Sequence, residues 1–439
     1  MKVLKLLIMA IAINASLAQL SAKDIKYAEE TLDNGLQVIY HIDRTAPVVS
    51  TVVHYKVGAK DEVVGKTGYA HFFEHLMFEA TDNIGRSDIS KYINEAGGWL
   101  NAHTSWDETV YKFKVPSHEL KLALWIEAER MRNLQIESIG VETQRGVVIE
   151  EKKSRVDNQP YGTMIEKMVE NLFVGATYSW PTIGSIEDLN QAKIEDFQNF
   201  YDNFYKPNNA VLVISGDFQI SDAQNAVKEF FGDMPLMDVP LRKQYDIRPL
   251  EVPYRETVPD DKAQLPALFM GYRSPSLGDP DYYAFNLLSN ILAAGESSRL
   301  YNKIVNEEQL ALAVQMSPLS LEKDGAVIFV GVAKPGEDLD EIEEAIVDEI
   351  NELIEDGITE EELQKTKNIM ESQMIFSKKN VLDKAMALAR YKAYYGDASL
   401  INEEIKRYME VKPDDIINVA KKYLSTDSKV VLNYVPQAN

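Results

Sequence analysis

Between Gly68 and Phe78 the chain reads Gly68-Tyr69-Ala70-His71-Phe72-Phe73-Glu74-His75-Leu76-Met77-Phe78, and no other stretch constrains the fold as much. Its pattern predicts a helix that is apolar nearly all round, and such a helix must be buried. Two imidazoles and a carboxylate are then carried into an apolar interior, where each needs a polar partner. Residues i and i+4 share a helix face, so His71 and His75 can bind one metal ion, with Glu74 beside them. A shared divalent cation satisfies all three groups. Chance placement yields only about 0.01 such matches in a chain with 6 histidines and 69 acidic residues. That disfavours the alternative, a pair of core histidines bonded to carbonyls.

Zinc takes a third protein ligand and keeps a fourth position for water. A helix expected over Val141 to Val156 offers Glu142, Glu150 and Glu151. Spacing alone does not choose among them, because Glu150-Glu151-Lys152-Lys153 also reads as a solvated, salt-bridged face. All six histidines fall at or before His118, so a histidine-based site can lie only in the first half.

Composition removes several classes of function. Lys+Arg 46 against Asp+Glu 69 leaves a net charge of −23, which repels phosphate backbones and anionic headgroups, so no nucleic-acid partner is expected. With no cysteine, disulfides, thiolate zinc sites, iron–sulfur clusters, cysteine nucleophiles and lipoprotein anchors are excluded. At the N-terminus, Lys2 and Lys5 precede an apolar run, Leu6 to Ile13, and then Ser16-Leu17-Ala18. This is the pattern of a signal peptide over residues 1–22, cleaved near Ala18 or Ala22. It predicts export to the periplasm of a Gram-negative cell. No later segment is long and apolar enough for a stable membrane anchor, so the mature protein is expected to be soluble.

Strand and helix patterns alternate from about Lys23. Asn34-Gly35 marks a hairpin, and strands are expected at Val48 to Val57, Val110 to Val115 and Ala210 to Ile214. Helices are expected at Gly68 to Phe78, with Thr67 as cap, and at His118 to Leu134 and Ile194 to Phe204. Periodicity then fails between Met234 and Pro253, where four prolines cluster. Beyond it the same order recurs, from Ala267 to Tyr272 through to Val430 to Val435. The reading is an α+β chain of two homologous domains, 23–233 bearing the metal site and 254–439 lacking one, joined by a linker at 234–253.

With these residues in view, the chain resembles the pitrilysin/insulinase family of zinc metallopeptidases, the inverzincins, in its short two-domain, processing-peptidase-like form. The resemblance rests on H-x-x-E-H at His71 to His75 and on Leu100-Asn101-Ala102-His103-Thr104. It is supported by Arg145-Gly146-Val147-Val148-Ile149-Glu150-Glu151, Pro207-Asn208-Asn209 with Gly216-Asp217, and Ser298-Arg299-Leu300-Tyr301. It implies antiparallel-rich mixed sheets packed with helices, a Zn2+ cofactor held by His71, His75 and Glu151, and Glu74 as general base. It further implies that Asn101, Ala102, His103 and Thr104 form an edge strand receiving an extended peptide substrate. The family's supporting glutamate, seven residues before the third ligand, is Gln144 here.

One departure stands out. Active members carry an Arg and a Tyr, seven residues apart, in the second half; here those positions hold Val305 and Leu312. Neither can hydrogen-bond a peptide carbonyl or an oxyanion. The resemblance therefore implies the zinc-bearing half of a heterodimer, a closed chamber for unstructured peptides whose zinc-less homologous partner supplies the Arg/Tyr pair. The alternatives are a self-sufficient homodimeric peptidase and a non-catalytic binding or scaffold subunit.

Overall fold

The turn at Asn34-Gly35 joins β1 (Ala28–Thr31) to β2 (Gln37–Ile42) as an antiparallel pair. Gly35 has a φ of 84°, the left-handed conformation such a turn needs, and Asn34 Oδ1 accepts from Leu36 N at 3.1 Å. In the computed structural model, residues 24–242, 250, 253–424 and 428–437 are described. The expected signal peptide (1–22) and most of the second half of the linker segment lie outside them.

The first sheet adds β3 (Val48–Tyr55), β4 (Trp99–Thr104), β5 (Thr109–Pro116) and β6 (Ala210–Gly216), in the order β1-β2-β6-β3-β5-β4. Its helices are α1 (Tyr69–Leu76), α2 (Asp88–Glu95), α3 (Leu120–Arg132), α4 (Ser138–Lys152), α5 (Met164–Leu172), α6 (Ile186–Gln191), α7 (Ile194–Phe204) and α8 (Ile220–Phe231). The second half contributes β7 (Tyr254–Asp260), β8 (Ala267–Ser274), α9 (Tyr282–Ala293), β9 (Ala311–Ser320) and β10 (Gly325–Ala333). It continues with α10 (Leu339–Asp356), α11 (Glu360–Phe376), α12 (Val381–Tyr395), α13 (Leu400–Glu410), α14 (Pro413–Tyr423) and β11 (Val430–Pro436).

The second sheet, β7-β11-β8-β10-β9, repeats the order β2-β6-β3-β5-β4. The directions repeat too: β2 is parallel to β6 and β7 to β11, while the remaining pairs are antiparallel. Helices α3 to α7 separate β5 from β6, and α10 to α14 separate β10 from β11. The weak internal repeat is thus a repeat of topology.

The near-continuous apolar run of β6 requires cover on both faces. Leu212 and Ile214 enter the first half's own core, with Val49, Val53, Tyr111 and Phe113. Val211 and Val213 point the other way, where with Ile39, Val52 and Val110 they meet Ala385, Leu388 and Ala389 of α12. The reciprocal contact exists on the second sheet: Met168, Val169 and Leu172 of α5 pack on Ala267, Phe269, Ile328, Val430 and Leu432. Since α5 and α12 occupy equivalent places in the repeat, the halves have exchanged their third helices. A buried Leu such as Leu388, with no exposed surface, contributes roughly 1.5–3 kcal/mol to this joint. Polar groups pin it as well. Buried Lys60 pairs with Asp107 at 2.9 Å and with Glu322, and Tyr178 donates to Asp107 at 2.6 Å.

Candidate active site

Helix α1 begins differently from the sequence expectation. Thr67 is not its cap; the Thr67 hydroxyl is bound by Asp188 at 2.5 Å. Gly68 takes the cap position at a φ of 82°, because the Ile183-Gly184 backbone passes so close that a Cβ there would lie 2.5 Å from the Ile183 carbonyl oxygen. The free amides are met by Glu62, whose carboxylate accepts from Gly68 N at 3.0 Å, Ala70 N at 2.7 Å and Trp180 Nε1 at 2.9 Å. A carboxylate there also suits the helix dipole. Phe72 stacks on Phe197 at 4.5 Å and Phe73 meets Tyr205 at 4.4 Å. These contacts fix the helix's rotation, so that His71 and His75 turn toward a cleft of about 520 Å³.

Glu151, at the end of α4, completes the cluster. Its Oε2 lies 3.3 Å from His75 Nε2 and 3.8 Å from His71 Nε2, and all the donor atoms fall within 4.8 Å of one another. Ligands about 2.05 Å from a tetrahedral zinc stand roughly 3.3 Å apart, so the set fits that ion with little adjustment. Burial pulls the His71 ring down to about 3, which keeps it neutral and its lone pair available. The other two glutamates of the helix do not reach the cleft: Glu142 pairs with Arg145 at 3.1 Å and Glu150 with Lys153 at 2.7 Å. Expected to be helical to Val156, the chain instead closes with a π-helical turn over Lys153–Asp157. Arg155 there comes back to Glu151 Oε1 at 2.6 Å.

Gln144 lies 3.2 Å from His75 Nδ1 through its Oε1, while its Nε2 donates to Glu79 Oε1 at 2.8 Å. Glu79 in turn accepts from Arg86 Nε at 2.5 Å. A carboxylate can only accept, so the Gln144 amide cannot be reversed. His75 must therefore carry its proton on Nδ1 and present Nε2 as a bare lone pair. The charge missing at position 144 stands one hydrogen bond further out, on Glu79. Sequence reasoning passed over Glu79, Arg86, Arg155 and Glu62. Two of them carry a readable signal: Glu79 follows His75 by four residues, and Arg155 follows Glu151 by four.

Glu74 is buried and accepts a hydrogen bond from Thr104 Oγ1 at 2.7 Å. Burial pushes its carboxyl up, against the opposing pull of Thr104 and His75. Thr104 closes β4, the edge strand, which among the described residues pairs only with β5. Asn101 is exposed there, and its Oδ1 accepts from Ala102 N at 2.7 Å. Leu100 and Ala102 pack toward α1, whereas His103 sits on the opposite face. His103 Nε2 is 3.1 Å from Glu108 Oε1 and its Nδ1 is 3.2 Å from Lys112 Nζ. Both ring nitrogens are thus engaged within the protein, and the ring offers the cleft its surface alone.

In the second half, Val305 packs against that half's core and Leu312 lies half exposed on β9. Arg299 is tied to Glu362 at 2.7 Å and to the Gly357 carbonyl at 3.1 Å, and Tyr301 packs on the core. Among the described residues, every one that lines the cleft comes from the first half.

Residues 37–185 match the family profile described as Insulinase (Peptidase family M16), and residues 191–370 match one described as Peptidase M16 inactive domain. The chain belongs to peptidase family M16. Zinc protease PqqE of Helicobacter pylori is 28% identical over 409 residues, covering 91% of this chain and 90% of that protein. An uncharacterized zinc protease of Mycobacterium tuberculosis is 27% identical over 396 residues, 90% of each. A crystal structure of a protease from Helicobacter pylori superposes with a TM-score of 0.89 at 27% identity, covering 94% of this chain and all of that one. The periplasmic protease PqqL of Escherichia coli shares the fold at a TM-score of 0.79 and 17% identity, with this chain covering 48% of its length.

Proposed function

We propose that the chain is the zinc-bearing subunit of an endopeptidase that cuts extended, unstructured peptides. One observation carries this reading: a His, His, Glu donor set and a buried carboxylate share a single cleft with the free edge of β4. His71, His75 and Glu151 would hold the zinc, with Gln144 and Glu79 fixing the His75 tautomer. A zinc held there would supply Lewis acidity toward the scissile carbonyl and the attacking water. Glu74 would take a proton from the attacking water and pass it to the leaving amine. Thr104 holds Oε2 of Glu74 and leaves Oε1 for the transfer. The peptide lies along β4 through backbone hydrogen bonds, which select an extended chain rather than a sequence.

The two-chain part of the reading follows from what the cleft lacks. With Val305 and Leu312 where the family's Arg and Tyr stand, no side chain of the second half lines the cleft among the described residues. A homologous, zinc-less subunit carrying that pair would supply them and close the chamber. The signal-like sequence of residues 1–22 supports a periplasmic setting for this activity. The test is to assay the purified chain on quenched unstructured peptides, alone and with such a homologue. Cleavage only in the mixture supports two chains. Cleavage by the chain alone makes it self-sufficient, and inertness in both despite bound zinc favours a scaffold.

A further inference from the structure

A second cavity, of about 460 Å³, opens on the other face of the first sheet, between the β3–β5–β4 surface and helices α11 to α13. His103 lines both it and the metal cleft. All but one of its charged groups are engaged in direct contacts. Glu108 is held by His54 Nδ1 at 3.4 Å and His103 Nε2 at 3.1 Å. Glu404 accepts from the Tyr391 hydroxyl, Asp383 accepts from Asn380 at 2.5 Å, and Lys378 donates to the Ile401 carbonyl at 2.9 Å. Arg390, on α12, makes no hydrogen bond or close ion pair among the described residues, although Glu108 and Glu404 of the same cavity attract it from further off, and its side chain is solvent-accessible.

The pleat of the edge strand connects this cavity to the peptide. Successive residues of a strand point to opposite faces. Thr104 faces Glu74 and the metal cleft, while His103 faces α12. A peptide laid along β4 obeys the same alternation, so each side chain over the cleft is flanked by neighbours directed at the α12 face. A guanidinium with no carboxylate in contact presents there a planar fork whose complement is a carboxylate.

We propose that this cavity is a specificity subsite that takes a carboxylate of the bound peptide, an Asp or Glu side chain, paired with Arg390. The inference rests on the reading of β4 as the peptide edge. On a chain of net charge −23, it gives an acidic residue one favoured register on an otherwise repelling surface.

The test uses the full chain with Glu74→Gln, loaded with zinc, so that peptides bind without being cut. Fluorescence anisotropy would compare labelled, C-terminally amidated peptides carrying a single Glu at successive positions with their Gln twins. At one register the Glu peptide should bind about tenfold tighter, as expected for one desolvated charge-assisted pair. Arg390→Gln should abolish that difference without weakening the Gln peptides, and Arg390→Glu should transfer the preference to a Lys peptide. A preference appearing only with a free C-terminus, and lost in Arg390→Gln, assigns the pocket to a terminal carboxylate. Equal binding of Glu and Gln peptides, or a difference that survives Arg390→Gln, overturns the subsite and leaves the peptidase reading standing. Failure of every peptide to bind overturns the edge-strand reading and the subsite with it.

Discussion

Thr104 Oγ1 donates to Glu74 Oε2 at 2.7 Å, joining the last residue of the edge strand to the buried carboxylate beside the metal ligands. The strand that would position the peptide thereby also orients the group that would move the proton, so peptide alignment and general-base orientation share one element. The bond stabilises the ionised form of a carboxyl that burial pushes the other way.

Replacing Thr104 with Val keeps the shape and removes the donor. A hydrogen bond to a charged group contributes about 1.5–3 kcal/mol, so kcat/KM should fall roughly tenfold or more. Zinc content should not change. Full activity in Thr104→Val would show that Glu74 is oriented by something else.

Glu151 and Glu150 are adjacent in sequence, yet only Glu151 faces the histidines. Glu151→Gln should lower zinc occupancy measured by mass spectrometry, while Glu150→Gln, which loses only an exposed pair with Lys153, should leave it intact. The reverse result would move the third ligand.

Gln144→Leu breaks the bridge from His75 to Glu79. Outer partners of ligating histidines are worth about 10–100-fold in metal affinity, and a loss of that size is expected in a chelator competition. Unchanged affinity would mean that the tautomer of His75 is fixed without the bridge.

The exchange of α5 and α12 ties each half's sheet to the other half's helix, so the halves should unfold together in a single calorimetric transition. Leu388→Ala should cost roughly 2–5 kcal/mol and lower that one transition. Two separate transitions, with only one displaced, would contradict the exchange.

Acid should weaken the fold in two windows near His103. Burial pulls His54 from 6.5 to about 4, so the unfolded chain binds a proton first and stability falls as pH drops from 6.5 toward 4. Burial pushes Glu108 up, but His54, His103 and Tyr394 outweigh it and hold it at about 2, so stability is lost between 4.5 and 2. His54→Gln should flatten the upper window in urea titrations at stepped pH. An unchanged slope there would assign it to other groups.

Much of this is legible in the chain itself. The cluster of His71, Glu74 and His75 is legible because helical periodicity alone puts all three on or beside one face. The apolar run at Ala210 to Ile214 announces a strand covered on both sides. It does not say by what: an amphipathic helix records that it has a buried face, not which sheet receives it, so the exchange of α5 and α12 has no sequence signature. Glu151 is separable from Glu150 only through a family resemblance or the fold, since their spacings to His75 differ by one residue. Thr67 looks like a cap because its hydroxyl fits the role, but Glu62 reaches the same amides through a fold-dependent turn.

The central claim is that a zinc held by His71, His75 and Glu151 acts with Glu74 as the base. The most direct measurement is zinc stoichiometry alongside peptide cleavage for Glu74→Gln, in whichever preparation cleaves with the parent chain. The account predicts one zinc per chain and no cleavage; cleavage at the parent's rate with zinc bound would contradict it.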